Sequence, residues 1–122
     1  MIFETDTLYI EKQESQIPWL KIFTKEPYTE LSQVPMQTQI SILTLLNSIE
    51  LEMIQYYQPR KINIASFGNY MPQQHWHIMA RFSDDDYFPE PMWGEKQRES
   101  TLGLPSFDIF VENLQKRFRA LS

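Results

Sequence analysis

At 122 residues and 14.7 kDa, the chain has room for one hydrophobic core and not for two ordinary domains, so a single domain over residues 1–122 is expected. Hydrophobic residues at 42% and aromatics at 14% argue against disorder. Eleven Lys and Arg against 16 Asp and Glu, a net charge of -5, argue against a binder of nucleic acid polymers. Cysteine is absent, which excludes disulfides, a thiol nucleophile and cysteine-ligated metal sites; any catalysis must use oxygen or imidazole.

The first nine residues carry Glu4 and Asp6 rather than a basic start and a long apolar run, so neither a signal peptide nor a membrane anchor is expected. The apolar-rich stretch from Ile40 to Ile54 is broken by Ser41, Thr44, Asn47, Ser48, Glu50 and Glu52, which cannot all lie in lipid. The expected location is the cytoplasm, without membrane contact. Leu8 to Glu11 and Trp19 to Phe23 are short, apolar and β-prone, and the polar residues between them have the length of a hairpin loop. From Met36 onward Ile42, Leu46, Ile49, Met53 and Tyr56 recur at the spacing of one helical face, with Pro35 to open the helix and Pro59 to stop it.

Ile62 to Ser66 and Gln74 to Phe82 are again β-prone, and Gly68, Asn69 and Pro72 between them suit a reversal, which predicts a second antiparallel hairpin. Ser83 to Gly94 is acidic, aromatic and interrupted by Pro89 and Pro91, so an ordered loop is expected. Ser106 can cap a last helix with apolar Phe107, Phe110, Val111, Leu114, Phe118 and Leu121, and Lys116, Arg117 and Arg119 suit its C-terminal turn. The predicted class is α+β: an antiparallel sheet covered by one long helix and finished by a C-terminal helix.

The two histidines of the chain, His75 and His77, lie two residues apart on a predicted strand. Alternation places Gln73, His75, His77, Met79 and Arg81 on one face and Trp76, Ile78, Ala80 and Phe82 on the other, the better core face. The first face, with Asn69 in the preceding loop, makes an oxyanion-binding surface. Imidazole serves as nucleophile, acid or base, or metal ligand, and residue type alone does not choose among these roles. For an isolated H-x-H, a pair of surface or satisfied polar residues is as good a reading.

The segment Gly68-Asn69-Tyr70-Met71-Pro72-Gln73-Gln74-His75-Trp76-His77-Ile78-Met79-Ala80-Arg81 resembles the signature of the histidine triad family, three histidines at alternating positions followed by apolar residues. Gln73 takes the first position, His75 the second and His77 the third. Ile17-Pro18-Trp19-Leu20, Lys61-Ile62-Asn63-Ile64 and Phe88-Pro89-Glu90-Pro91-Met92-Trp93-Gly94 are similar to bacterial members described as diadenosine tetraphosphate hydrolase-like. The resemblance implies the histidine triad fold, a homodimer, a nucleotide substrate, no required metal or other cofactor, and attack by the middle histidine, here His75, on an α-phosphorus.

His77 would then donate to a phosphate oxygen, with Asn69 and Gln73 as neutral amide donors to the substrate. Gln73 departs from the pattern, because an amide cannot exchange a proton at neutral pH as imidazole can. Arg81 is open to a phosphate or to solvent. Glu14 falls near the place where the family binds ribose, or is a solvated loop carboxylate. Phe88 and Trp93 close over the site or a subunit boundary, or are buried structural aromatics. Asp84, Asp85 and Asp86 form a solvated turn or help a metal site. The alternatives to a hydrolase are a non-catalytic nucleotide-binding or partner-binding protein on the same fold, and a metal-binding module using His75, His77 and one of these three aspartates.

Overall fold

The computed structural model describes residues 1–121. Five strands form one antiparallel sheet in the order β1-β2-β3-β5-β4: β1 Phe3–Glu4, β2 Leu8–Lys12, β3 Trp19–Thr24, β4 Lys61–Phe67 and β5 His75–Arg81. Helix α1, Met36–Tyr57, lies between β3 and β4 in the chain, and helix α2, Phe107–Ala120, ends it. The two hairpins and both helices match the α+β class expected from the spacing. β1 was not anticipated, because two residues carry no period; Phe3 and Glu4 simply extend the sheet opposite Ile10 and Tyr9.

Alternation along the strands divides the sheet into two unlike faces. Leu8, Ile10, Leu20, Ile22, Ile62, Trp76, Ile78 and Ala80 turn to one side and form the main core with Ile42, Leu45, Leu46, Ile49 and Met53 of α1 and Phe110, Leu114 and Phe118 of α2. Each of the large aliphatic and Phe side chains among them contributes about 1.5–3 kcal/mol on burial, against roughly 1 kcal/mol for a helix cap, so this layer rather than the helix ends holds the sheet against α1. Tyr57, not Tyr56, closes the buried stripe of α1; the Tyr56 hydroxyl instead donates to the Ser106 carbonyl at 2.8 Å, at the start of α2. Gln58 then takes a left-handed φ of 52° and Pro59 ends the helix.

Ser106 caps α2 as expected, its hydroxyl accepting from Ile109 N at 3.3 Å. Arg117 does more than complement the helix dipole, since its guanidinium reaches the buried Glu52 carboxylate of α1 at 2.7 Å. No helix among the described residues is long and apolar enough to cross a membrane.

The second face of the sheet is only half covered. Residues 82–104 fold back over it, and Ile17, Trp19 and Met79 form a small second core there with Met92 and Leu102 packed against it. The anchor is Arg81, 1% exposed, whose Nε and Nη2 donate to the two Asp85 carboxylate oxygens at 2.9 and 3.0 Å. Its remaining donors reach Asn63 Oδ1 at 2.8 Å and the Glu90 carbonyl at 2.7 Å. Asp85, wholly buried, also accepts from the backbone N–H groups of Phe82, Tyr87 and Phe88. Burial alone would raise its pKa, but these donors outweigh it and hold the carboxyl at about 2.

Both readings offered for Arg81 are therefore corrected: it meets neither phosphate nor solvent. Asp85 likewise is not part of a solvated turn. Asp86 is tied to Gln16 and Ser100. Among the described residues no group of three or more His, Asp or Glu side chains is arranged to hold a metal ion.

Candidate active site

Both histidines lie on this second face, His75 half-buried and His77 buried against Trp93. The β5 strand starts from a pinned turn: Gln74 N donates to the Tyr28 carbonyl at 2.7 Å, Ser66 Oγ donates to the His75 carbonyl at 2.8 Å, and the Gln74 amide bonds Ser66. Gly68 permits this turn by its size, not its φ. A Cβ there would lie 3.1 Å from the Gln73 carbonyl oxygen.

That carbonyl oxygen lies 3.0 Å from His75 Nδ1. A carbonyl only accepts, so Nδ1 carries the proton and, in the neutral ring, Nε2 holds the free lone pair. His77 is fixed the other way. Trp19 Nε1–H donates to His77 Nδ1 at 2.9 Å, an indole N–H can only donate, and so the neutral ring carries its proton on Nε2. The rings lie 4.9 Å apart, centroid to centroid. One thus presents a lone pair and its neighbour an N–H.

His77 is 6% exposed. Burial, then the neighbouring His75 and then Lys21 push its pKa down to about 4, which keeps the ring neutral at pH 7. His75 stacks on Phe23 at 5.2 Å and 22°, and Phe23 in turn on Tyr9 at 5.0 Å and 12°. Trp93 stands nearly perpendicular to His77 at 4.9 Å and also meets Phe67 and Trp19. It is half-exposed, at the wall of the site rather than in the core.

These residues enclose a cleft of about 470 Å³ lined by Gln13, Lys21, Phe67, Asn69, Tyr70, Met71, His75, His77 and Trp93. A groove of about 510 Å³ along β4 shares Phe67 and Trp93 but holds neither histidine. Asn69 reaches the cleft; the Gln73 side chain does not line it, its amide donating to the Thr24 carbonyl at 2.8 Å. Glu14 is exposed and paired with Lys12 at 3.5 Å, while its neighbour Gln13 lines the cleft. Phe88 lies under the Arg81 guanidinium, 5.5 Å from it.

Sequence reasoning missed Gln13, Trp19, Lys21 and Phe67 as site residues. Alternation on β3 does put Trp19, Lys21 and Phe23 on one face, but nothing local says that this face meets the histidines.

The geometry defines a small α+β protein with a paired-imidazole cleft on an open sheet face. A HIT domain is matched over residues 1–84, more than half of the chain, and the chain belongs to the histidine triad (HIT) family, whose members bind nucleotides and hydrolyse or transfer them. Among solved structures, a histidine triad protein from Bradyrhizobium japonicum is 25% identical with a TM-score of 0.76, covering 95% of this chain and 87% of that one. Histidine triad proteins from Sinorhizobium meliloti, with a TM-score of 0.72, and from Marinobacter aquaeolei, with 0.71, are each 20% identical and establish likeness of fold. The first covers 97% of this chain and 86% of its own, the second 98% and 85%. No curated protein matches the chain by sequence.

Proposed function

We propose that the protein is a nucleotide hydrolase or nucleotidyl transferase of the diadenosine tetraphosphate hydrolase-like kind, acting on the α-phosphate of a dinucleoside polyphosphate or related nucleotide. The observation that carries this reading is the pair of contacts at the ring nitrogens, the Gln73 carbonyl on His75 Nδ1 and the Trp19 indole on His77 Nδ1, which together imply a free lone pair on His75 Nε2 beside an N–H on His77 Nε2. In the proposed reaction His75 Nε2 attacks phosphorus in line, the N–P bond forms and the P–O bond to the leaving group breaks. Positive charge develops on the ring, and the Gln73 carbonyl, already accepting from Nδ1–H, stabilises it. His77 donates to a non-bridging oxygen as negative charge gathers there. Water then attacks the nucleotidyl-histidine, the electron pair of the N–P bond returns to Nε2, and the water proton passes to solvent.

In this scheme Asn69 adds a neutral donor to the substrate, and Gln73 acts by positioning His75 while its own amide is held by Thr24. The reaction so written needs no metal. The working form is proposed as a cytoplasmic homodimer, and light scattering that gives a monomer at micromolar concentration would count against the dimer.

The test is incubation with diadenosine polyphosphates with and without chelator, followed by rapid quench to trap the nucleotidyl-histidine. Chelator-insensitive turnover that vanishes in folded His75→Ala is expected. Near-normal turnover in that variant would sink the covalent mechanism. Binding without turnover in the unaltered protein would select the non-catalytic reading, which the amide in the first triad position favours.

A further inference from the structure

The cleft holds one ammonium group and no carboxylate, in a chain whose net charge is -5. Lys21 projects from β3 on the histidine face, its Cα paired directly with that of His77 on β5 and with that of Glu11 on β2. Glu11 is the natural counter-charge, yet its carboxylate pairs with the N-terminal ammonium at 3.3 Å. Among the described residues the Lys21 ammonium has neither an ion pair nor a hydrogen bond; it stands 5.5 Å from the centroid of Phe23, the ring on which His75 stacks. Its charge also contributes to the low pKa of His77. Lys21 as a residue is half-buried, and an unpaired ammonium on the wall of the cleft, beside a phosphorus-attacking nitrogen, has one evident partner, an anionic oxygen of the substrate.

We propose that Lys21 binds the phosphates beyond the scissile bond and so selects a polyphosphate leaving group over an amine. This inference rests on the function proposed above. When His75 Nε2 bonds to the α-phosphorus, the electron pair of the broken P–O bond stays on the bridging oxygen, and a polyphosphate departs as an anion without taking a proton. The fixed ammonium of Lys21 stabilises that anion in bound substrate and increasingly as the bond breaks. An amine must instead acquire a proton on nitrogen as it leaves, and it gains nothing from a fixed positive charge. Gln73 cannot supply that proton. Cation and amide therefore point to the same leaving-group class.

The experiment compares kcat/KM for diadenosine tetraphosphate and for adenosine phosphoramidate in the unaltered protein, Lys21→Gln, Lys21→Met and Lys21→Arg. Calorimetric binding of inorganic tripolyphosphate is measured for each. Lys21→Met keeps the unbranched stem over Phe23, so the outcome does not depend on one variant folding. The expected result is that the polyphosphate-to-phosphoramidate ratio falls by about tenfold or more in the Gln and Met variants, a difference of about 1.4 kcal/mol. Lys21→Arg should hold the ratio within about threefold, because charge is kept. A ratio unchanged in the Gln and Met variants overturns the assignment. If the unaltered protein turns over neither substrate, the proposed function fails. Tripolyphosphate affinity then decides the lysine by itself: weaker binding in Lys21→Gln and Lys21→Met upholds the anion site, and equal binding overturns it.

Discussion

Replacing Trp19 with Phe tests how His77 is held. The substitution keeps a ring against Met79 and Ile17 and removes the one donor, at 2.9 Å, that His77 Nδ1 has among the described residues. A buried acceptor left unpaired costs about 1–3 kcal/mol, and with the indole donor gone nothing fixes the tautomer, so the form protonated at Nδ1 becomes accessible. In that form His77 turns a lone pair toward the phosphate oxygen that it should donate to. Loss of such a donor costs about 2.7–4 kcal/mol, or 10²–10³ in kcat, which bounds the effect from above.

The indole bond also stabilises the neutral ring. Its removal should raise the His77 pKa from about 4 back toward 6.5. Nitrogen-15 NMR reads both quantities directly, because the chain contains two histidines and hence four ring nitrogens. The unaltered protein should show His75 protonated at Nδ1 and His77 at Nε2. A Trp19→Phe protein that keeps His77 protonated at Nε2, with the same titration and full turnover, would refute the reasoning.

Gly68→Ala should press a Cβ against the Gln73 carbonyl oxygen from 3.1 Å; turnover should fall about tenfold, and an unchanged kcat would show that this carbonyl does not orient His75. Asp85→Asn leaves Arg81 buried without its counter-charge and should cost about 3–5 kcal/mol in urea denaturation, with a red-shifted tryptophan emission as residues 82–104 loosen. A loss under about 1 kcal/mol would contradict the anchoring role.

Stability should fall as pH drops from about 6.5 toward about 4, because the unfolded chain takes up a proton that folded His77 refuses, with a slope of up to about 1.4 kcal/mol per pH unit. His77→Gln should flatten that limb, while the Asp85 contribution, complete above its unfolded value of 3.8, should be lost only as pH falls through about 2. Gln73→His should leave the rate on a polyphosphate within about tenfold, since the carbonyl that holds His75 belongs to the backbone. Selective acceleration of an amine substrate would mark the position as a proton donor instead.

What could be read from the chain itself is what neighbouring residues impose on one another. Period-two alternation assigned Trp76, Ile78 and Ala80 to the core and both imidazoles to the opposite face, because successive strand side chains must point apart. Helical spacing, Ser106 and Pro59 likewise located α1 and α2 to within a residue or two. Their positions and the resemblance around them singled out His75 and His77 as the candidate pair, and both line the cleft.

Their protonation pattern was beyond that reach. Trp19 lies 58 residues from His77, and it becomes a donor to that ring only because β3 pairs with β5 in one particular register. The same register brings Lys21 beside His77, and the return of residues 82–104 brings Asp85 to Arg81. Strand alternation is a property of the local backbone. Register and loop closure are chosen by the burial of the whole assembly, in which Leu20 and Ile22 reach the main core only when Lys21 faces the cleft. The sequence by itself therefore determined which residues share the histidine face, and tertiary packing alone decided which groups meet each ring nitrogen and which cation stands beside them.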